Sequence, residues 1–216
     1  MQFALKPYGE VGLLAYDLSE RQRVQLSHVL RGQHPPGCVE YIEGYDTVLF
    51  ICKNPEGTSE LKDWLKGVSK VKADESSKRR IHEIPVVYDG PDLEEVARRV
   101  GLTAEEVIEI HSASVYTVRM MGFSPGFPYL DGLDERLHLP RKDSPRNRIE
   151  PGAVAIGGSH AGIYSVASPG GWHLLGRTNV KFFDASAAKG HAPDRAEVFL
   201  LSPGDELRFK VIQNTK

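Results

Sequence analysis

Three arginines, Arg141, Arg146 and Arg148, fall within eight residues, flanked by Pro140 and Pro145. A guanidinium offers planar, paired donors, so a proline-stiffened cluster of them suits a carboxylate or a phosphate. The competing reading is surface ion pairing with Asp143 and Glu150. His160 and His173 each lie close to a glycine pair, Gly157-Gly158 and Gly170-Gly171. Imidazole titrates near neutrality, which makes both histidines candidates for proton transfer, yet neither has an adjacent acid in sequence to orient it. The glycine pairs allow close backbone approach to a ligand, or simply tight turns. The chain carries no phosphate-binding Walker loop, no HExxH and no CxxC. His28 and His34 have no second ligand type at metal spacing and read as solvated, so no metal is expected. With no self-contained catalytic apparatus in view, the sequence points to a component that works with a partner.

Between these groups and the preceding segment lies Met121-Gly122-Phe123-Ser124-Pro125-Gly126-Phe127-Pro128-Tyr129-Leu130. Pro125 and Pro128 cannot donate to a sheet ladder, and a flexible linker has no use for aromatic rings. Stiff backbone plus rings reads as a fixed surface loop, serving either as a structural turn or as the rim of a site. A cis bond at Ser124-Pro125 or Phe127-Pro128 would suit so tight a bend.

The elements that must hold these residues divide into two groups. A chain of 216 residues with 40% hydrophobic and 26% charged residues is long enough for one large or two small soluble domains. A net charge of -2 gives no electrostatic case for nucleic acid or an acidic membrane. Cys38 and Cys52 sit in apolar surroundings and read as buried thiols in a reducing compartment. No stretch is long and apolar enough for a membrane span, and the first residues lack a signal-peptide pattern, so the cytoplasm is the expected location.

Residues 1–88 read as a small domain in the order ββαββαβ, helices on one face of a mostly antiparallel sheet. Ser19 and Gln22 form a capping box for the first helix, and Thr58 caps the second, whose buried stripe is Leu61, Trp64, Leu65 and Val68. Lys72 to Arg80 is a polar run, and Ile81 to Tyr88 reads as the closing strand. Residues 89–216 read as a second domain. Asp92 with Glu95, and Thr103 with Glu106, form capping boxes for a helix pair joined at Gly101. The pair resembles a helix-turn-helix, but its second helix presents Glu105, Glu106 and Glu109, which phosphates would repel. His111 ends that helix, where a positive charge favours the dipole. Ser114 to Met121 alternates as a strand. Short strands then follow at Val154–Ile156, Ile163–Val166, Leu174–Arg177, Lys181–Phe183, Val198–Leu201 and Leu207–Ile212, with glycine turns at 157–162 and 168–173. That spacing indicates a β-barrel or sandwich. Ser186 to Arg195 reads as a polar, mobile loop.

The segments PGCVEYIEGYDTVLF, HEIPVVYDGPDLEEVARRVGLTAEEVIEIHS, GFSPGFPYLDGL, LPRKDSPRNRIEPGAVAIGG and GIYSVASPGGWHLLGRT resemble the family that holds the B component of 5-oxoprolinase, the kinase inhibitor KipI and the first component of allophanate hydrolase. The resemblance covers nearly the whole chain. It implies an α+β N-terminal domain followed by a mainly β, cyclophilin-like barrel. For the enzyme it implies a B component acting with the C and A components to open 5-oxoproline, a lactam, to glutamate at the expense of ATP. Alternatives are a KipI-type inhibitor of a sporulation histidine kinase and a component of an allophanate hydrolase or urea carboxylase-like enzyme. Under the enzyme reading, Phe123, Pro125, Gly126, Phe127 and Trp172 wall the substrate, and Arg141, Arg146 and Arg177 bind it. His160 or His173 relays a proton. The family commonly has glutamine where His160 stands, and often proline where Ser165 stands. The resulting expectation is an aromatic, arginine-ringed rim that forms half of a pocket completed by another polypeptide.

Overall fold

The computed structural model describes residues 3–68, 81–189 and 195–213. Contacts cluster into two units, Met1–Lys78 and Arg79–Lys216. The Lys72–Arg80 run, and residues 190–194 of the loop expected at Ser186 to Arg195, lie outside the described residues.

In the first unit, β1 (Ala4–Tyr8) and β2 (Gly12–Tyr16) form a hairpin, α1 (Glu20–Gly32) follows, and β3 (Cys38–Glu43), β4 (Val48–Cys52) and α2 (Pro55–Val68) complete it. The sheet is antiparallel in the order β1-β2-β4-β3. The Ser19–Gln22 capping box is formed in both directions. Helix α2 starts a turn earlier than expected. Asn54 Oδ1 accepts from the Gly57 amide at 2.9 Å, with Pro55 as the first helical residue, a position where a missing N–H costs nothing. The Thr58 hydroxyl instead donates back to the Pro55 carbonyl. Leu61, Leu65 and Val68 are buried with Phe50, Leu13 and Leu26, and Trp64 packs against them, as its stripe predicts. Cys38 and Cys52 are buried, unbridged and opposite each other in the register of β3 and β4.

The second unit begins with β5 (Ile81–Val86), α3 (Leu93–Val100) and α4 (Ala104–Ala113). Next come β6 (Tyr116–Met121), β7 (Pro128–Asp131), β8 (Arg146–Ile149), β9 (Ala153–Gly157), β10 (His160–Ile163), β11 (Ser168–Gly170) and β12 (His173–Arg177). A short helix, α5 (Arg195–Val198), and β13 (Glu206–Val211) end it. Seven strands form one sheet in the order β12-β9-β10-β7-β6-β13-β5, while β8 and β11 pair separately. The two outer strands of the seven meet. Val87, just past β5, exchanges backbone hydrogen bonds of 2.9 and 2.8 Å with Arg177 of β12, which leaves the sheet a nearly closed barrel.

Strand β5 was expected to close the first domain. It runs parallel to β13 instead, and buries Ile84 and Val86 in the barrel core. Its sequence is apolar enough for either sheet, and the choice depends on a partner far along the chain. Val198–Leu201 is not a strand, because α5 ends at Val198, and of Lys181–Phe183 only Phe183 makes a bridge, to Phe199. The stretch read as one glycine turn at 157–162 is a hairpin. Gly157 pairs with His160, so only Gly158 and Ser159 turn, with Gly158 at φ 65°. Likewise Ser168–Gly170 is strand β11, not a turn.

Residues alternate between the barrel's two faces. Leu130, Val154, Ile156, Ala161, Ile163 and Leu175 fill the interior. Their neighbours Tyr129, Ala155 and Leu174 face outward into a second cluster with Phe127, Tyr164 and Trp172. Helix α3 packs on β12 and α4 on β13. The Thr103–Glu106 box caps α4, and Gly101 is left-handed at φ 73°.

Candidate functional site

The aromatic loop joins β6 to β7 as a tight bend. Gly122 donates to the Phe127 carbonyl at 3.1 Å, and Phe127 donates to the Ser124 carbonyl at 3.1 Å. Pro128 is the first residue of β7, where a missing donor is tolerated. No peptide bond among the described residues is cis, so the bend comes from two positive φ values, Phe123 at 67° and Gly126 at 77°. A left-handed phenylalanine is uncommon and strained. Here it holds Phe123 outward, 58% exposed, with its ring centroid 5.4 Å from that of the buried Phe127. Gly126 faces away from the rings, since a Cβ there would sit 2.8 Å from Phe183 Cβ. Pro125 is exposed, and its carbonyl accepts a 2.6 Å bond from the Ser165 hydroxyl.

Phe123, Phe127, Tyr129, Arg141, Tyr164, Gly170, Gly171 and Trp172 line a small cleft of about 70 Å³ on the barrel's outer face. Phe127 meets Trp172, Tyr129 and Tyr164 edge-on at 5.5, 5.1 and 5.2 Å. The rings lie close to the sheet because glycine lies beneath them. A Cβ on Gly157 would sit 2.8 Å from Trp172, and one on Gly162 would sit 2.8 Å from Phe127 and 2.9 Å from Trp172. Burial raises the Tyr164 phenol above its usual pKa. The Arg141 guanidinium lies over Trp172 at 5.7 Å, a cation–π geometry.

The other arginines are engaged elsewhere. Arg148 pairs with Glu150 at 2.7 Å, as the surface-pairing reading has it, and Arg177 pairs with Asp89 at 2.9 Å. Arg146 donates at 2.7 Å to Asp92, whose side chain is only 3% exposed. Among the described residues, no carboxylate pairs with Arg141. The expected ring of arginines is therefore one available guanidinium on an aromatic wall.

The histidines part company. His173 is fully buried, and its Nε2 lies 2.9 Å from the Pro140 carbonyl, away from the cleft lining. His160, on the outward face of β10 with Gly162, has Nδ1 3.2 Å from Asp131 Oδ1, and Arg119 reaches the other oxygen at 3.4 Å. The acid missing next to His160 in sequence is thus supplied by β7. Asp131 is within ion-pair distance of the ring, and His160, like His173, is not among the residues that line the cleft. His111 also departs from expectation. It is wholly buried, stacks on Phe209 at 4.7 Å and bonds the Tyr88 hydroxyl at 2.7 Å; burial pushes its pKa down to about 3. It carries no charge to favour a helix end.

Residues 5–192 match the family model described as carboxyltransferase domain, subdomain C and D. The chain belongs to this family. It is 41% identical over 182 residues to the B component of 5-oxoprolinase from Escherichia coli O157:H7, an alignment covering 81% of this chain and 78% of that one. It is 39% identical over 189 residues to the corresponding 5-oxoprolinase component of Bacillus subtilis strain 168, covering 81% and 75%. Its fold is similar to the crystal structure of TTHA0988, with a TM-score of 0.80 and 37% identity. That match covers 95% of this chain but only 41% of the TTHA0988 chain, so this chain spans about two-fifths of that protein.

Sequence reasoning placed Phe123, Phe127, Arg141 and Trp172 in the site, and the structure brings these four together. It missed Tyr129 and Tyr164, although Tyr129 follows Phe127 at the strand's alternate spacing. It also missed Asp131, and it read Asp92 only as a helix cap, because the partners of both acids come from distant segments.

Proposed function

We propose that this chain is the B component of an ATP-dependent 5-oxoprolinase that acts with the A and C components to open 5-oxoproline to glutamate. The observation that carries this reading is the identity of 41% to a protein named for that role, across most of both chains. The cleft fits the chemistry. The lactam 5-oxoproline has a nearly flat five-membered ring with an apolar CH2 edge, a ring amide and a carboxylate. Phe123, Tyr129, Tyr164 and Trp172 offer ring faces and edges, and Arg141 offers a guanidinium with no carboxylate partner among the described residues. Opening the lactam breaks its C–N bond and adds water, with a proton delivered to the leaving nitrogen. His160, with Asp131 3.2 Å from its Nδ1 and on the same outward face as Gly162 beneath the rings, is the residue we assign to that proton. His173 is assigned a structural part through the Pro140 carbonyl. ATP is the co-substrate of the assembled enzyme.

The test is ATP hydrolysis driven by 5-oxoproline, measured with the A and C components in the presence and absence of this chain. Turnover that requires the chain is expected. ATP consumption of equal rate without it overturns the proposal.

A further inference from the structure

Asp92 opens α3 as its N-cap, yet its carboxylate makes no capping bond. It is turned instead toward other segments. Oδ2 accepts from the Leu174 amide of β12 at 2.8 Å. Oδ1 accepts from Arg146 at 2.7 Å and from Lys142 Nζ at 3.1 Å, and Lys142 also reaches Glu95 at 2.8 Å. Burial works to raise the Asp92 pKa, but the bonds from Arg146, Leu174 and Lys142 outweigh it and hold the carboxyl below the usual range. The group is therefore an anion enclosed by donors.

These contacts bracket Arg141. The Lys142 amide donates to the Gly171 carbonyl at 2.7 Å, and the Pro140 carbonyl on the other side of Arg141 is held by His173. Across the cation–π contact, Trp172 lies two residues before Leu174, whose amide Asp92 holds. One buried carboxylate thus bonds Lys142 and Arg146, on the segment that carries the cation, and the strand that directly follows the ring. We infer that Asp92 is a positioning residue that sets Arg141 over Trp172 and so fixes the anion-binding end of the cleft. This inference rests on the proposed binding of a substrate carboxylate by Arg141.

Asp92→Asn keeps the shape and removes the charge. In the assembled enzyme it is expected to raise KM for 5-oxoproline about tenfold while kcat changes less than about twofold, the size of one charge-assisted hydrogen bond. Arg141→Ala is expected to do the same. If Asp92 acts through Arg141, the double variant loses no more than Arg141→Ala alone. Losses that multiply in the double variant, or a KM unchanged by Asp92→Asn, overturn the inference.

A second readout needs no catalysis. The chain has two tryptophans, so Trp64→Phe leaves Trp172 as the only indole emitter. In that background Arg141→Ala is expected to shift the Trp172 emission, and Asp92→Asn to shift it in the same direction. A shift with the first and none with the second overturns the inference. If the assembled enzyme shows no 5-oxoproline turnover at all, the proposed function fails while the emission still decides whether Asp92 positions Arg141. Should Asp92→Asn not fold, Lys142→Met removes a neighbouring tether and carries both readouts.

Discussion

The two faces of β9 meet different kinds of apolar surface. Val154 and Ile156 point inward to branched aliphatic neighbours such as Ile163 and Leu175. Ala155 and Gly157 point outward, and aromatic rings lie over them. The interior is filled by side chains that adapt to one another, so its identity is that of any well-packed core. The outer face depends on what is missing. Without Cβ atoms on Gly157 and Gly162 the rings settle against the backbone and leave a cleft beside Arg141. Stability resides mainly in the first face; the cleft proposed for recognition lies on the second.

The sharpest way to break this contrast is to cut into each face. Leu130→Ala, at a fully buried interior site, is expected to lower the unfolding free energy by about 2–5 kcal/mol in urea melts. It should leave KM for 5-oxoproline unchanged at temperatures where the protein stays folded. A KM shift as large as that of Arg141→Ala would show that the two faces are not separable.

The interior side also takes in His111, which packs on Phe209 and Tyr116. Its pKa in the fold, about 3, is below the ordinary 6.5, so the unfolded chain binds its proton more readily. The associated stability is complete above pH 6.5 and falls as pH drops toward 3, by up to about 1.4 kcal/mol per pH unit. Between about pH 6.5 and 5 this amounts to about 2 kcal/mol, in a range where carboxylates still contribute little. His111→Gln, which keeps an acceptor for Tyr88, is expected to flatten the urea midpoint over that window. An unchanged slope would show that His111 is hydrated.

Gly162→Ala tests the outer face with a single methyl group. The new Cβ would sit 2.8 Å from Phe127, 2.9 Å from Trp172 and 3.0 Å from the Pro128 carbonyl. Overpacking of this kind costs about 1–3 kcal/mol. The expected signature is an altered near-ultraviolet dichroism from the displaced rings, together with a higher KM for 5-oxoproline. The smallest effect on stability is expected from Phe123→Ala. This exposed ring is tied to few neighbours, so the unfolding free energy should move by no more than about 0.5 kcal/mol while KM rises severalfold. A large loss of stability would return the loop to the purely structural reading.

Much of the molecule is legible locally. The Ser19–Gln22 and Thr103–Glu106 boxes cap their helices as written, because a cap is satisfied within one turn. Asp92 and Glu95 have the same spacing, yet the carboxylate of Asp92 turns to Arg146, Lys142 and Leu174, stronger partners than a helix end. Arg141, Arg146 and Arg148 look alike when read along the chain. They differ only in which acid lies within reach, Asp92 for Arg146, Glu150 for Arg148 and none for Arg141 among the described residues. His160 shows the same gap, since its acid arrives from a neighbouring strand.

The amino-acid order alone settled what neighbours along the chain can settle: the caps at Ser19 and Thr103, the alternation of β6 as far as Val118, where a bulge turns Met120 outward, the stiff aromatic bend and the family to which these blocks belong. Tertiary structure decided which sheet takes β5, which arginine stays available, and which acids serve His160 and Arg146. The reason is physical. Caps, turns and alternation are satisfied within a few residues, whereas the Asp92–Leu174 bond joins groups 82 residues apart, and only the nearly closed barrel brings them within reach.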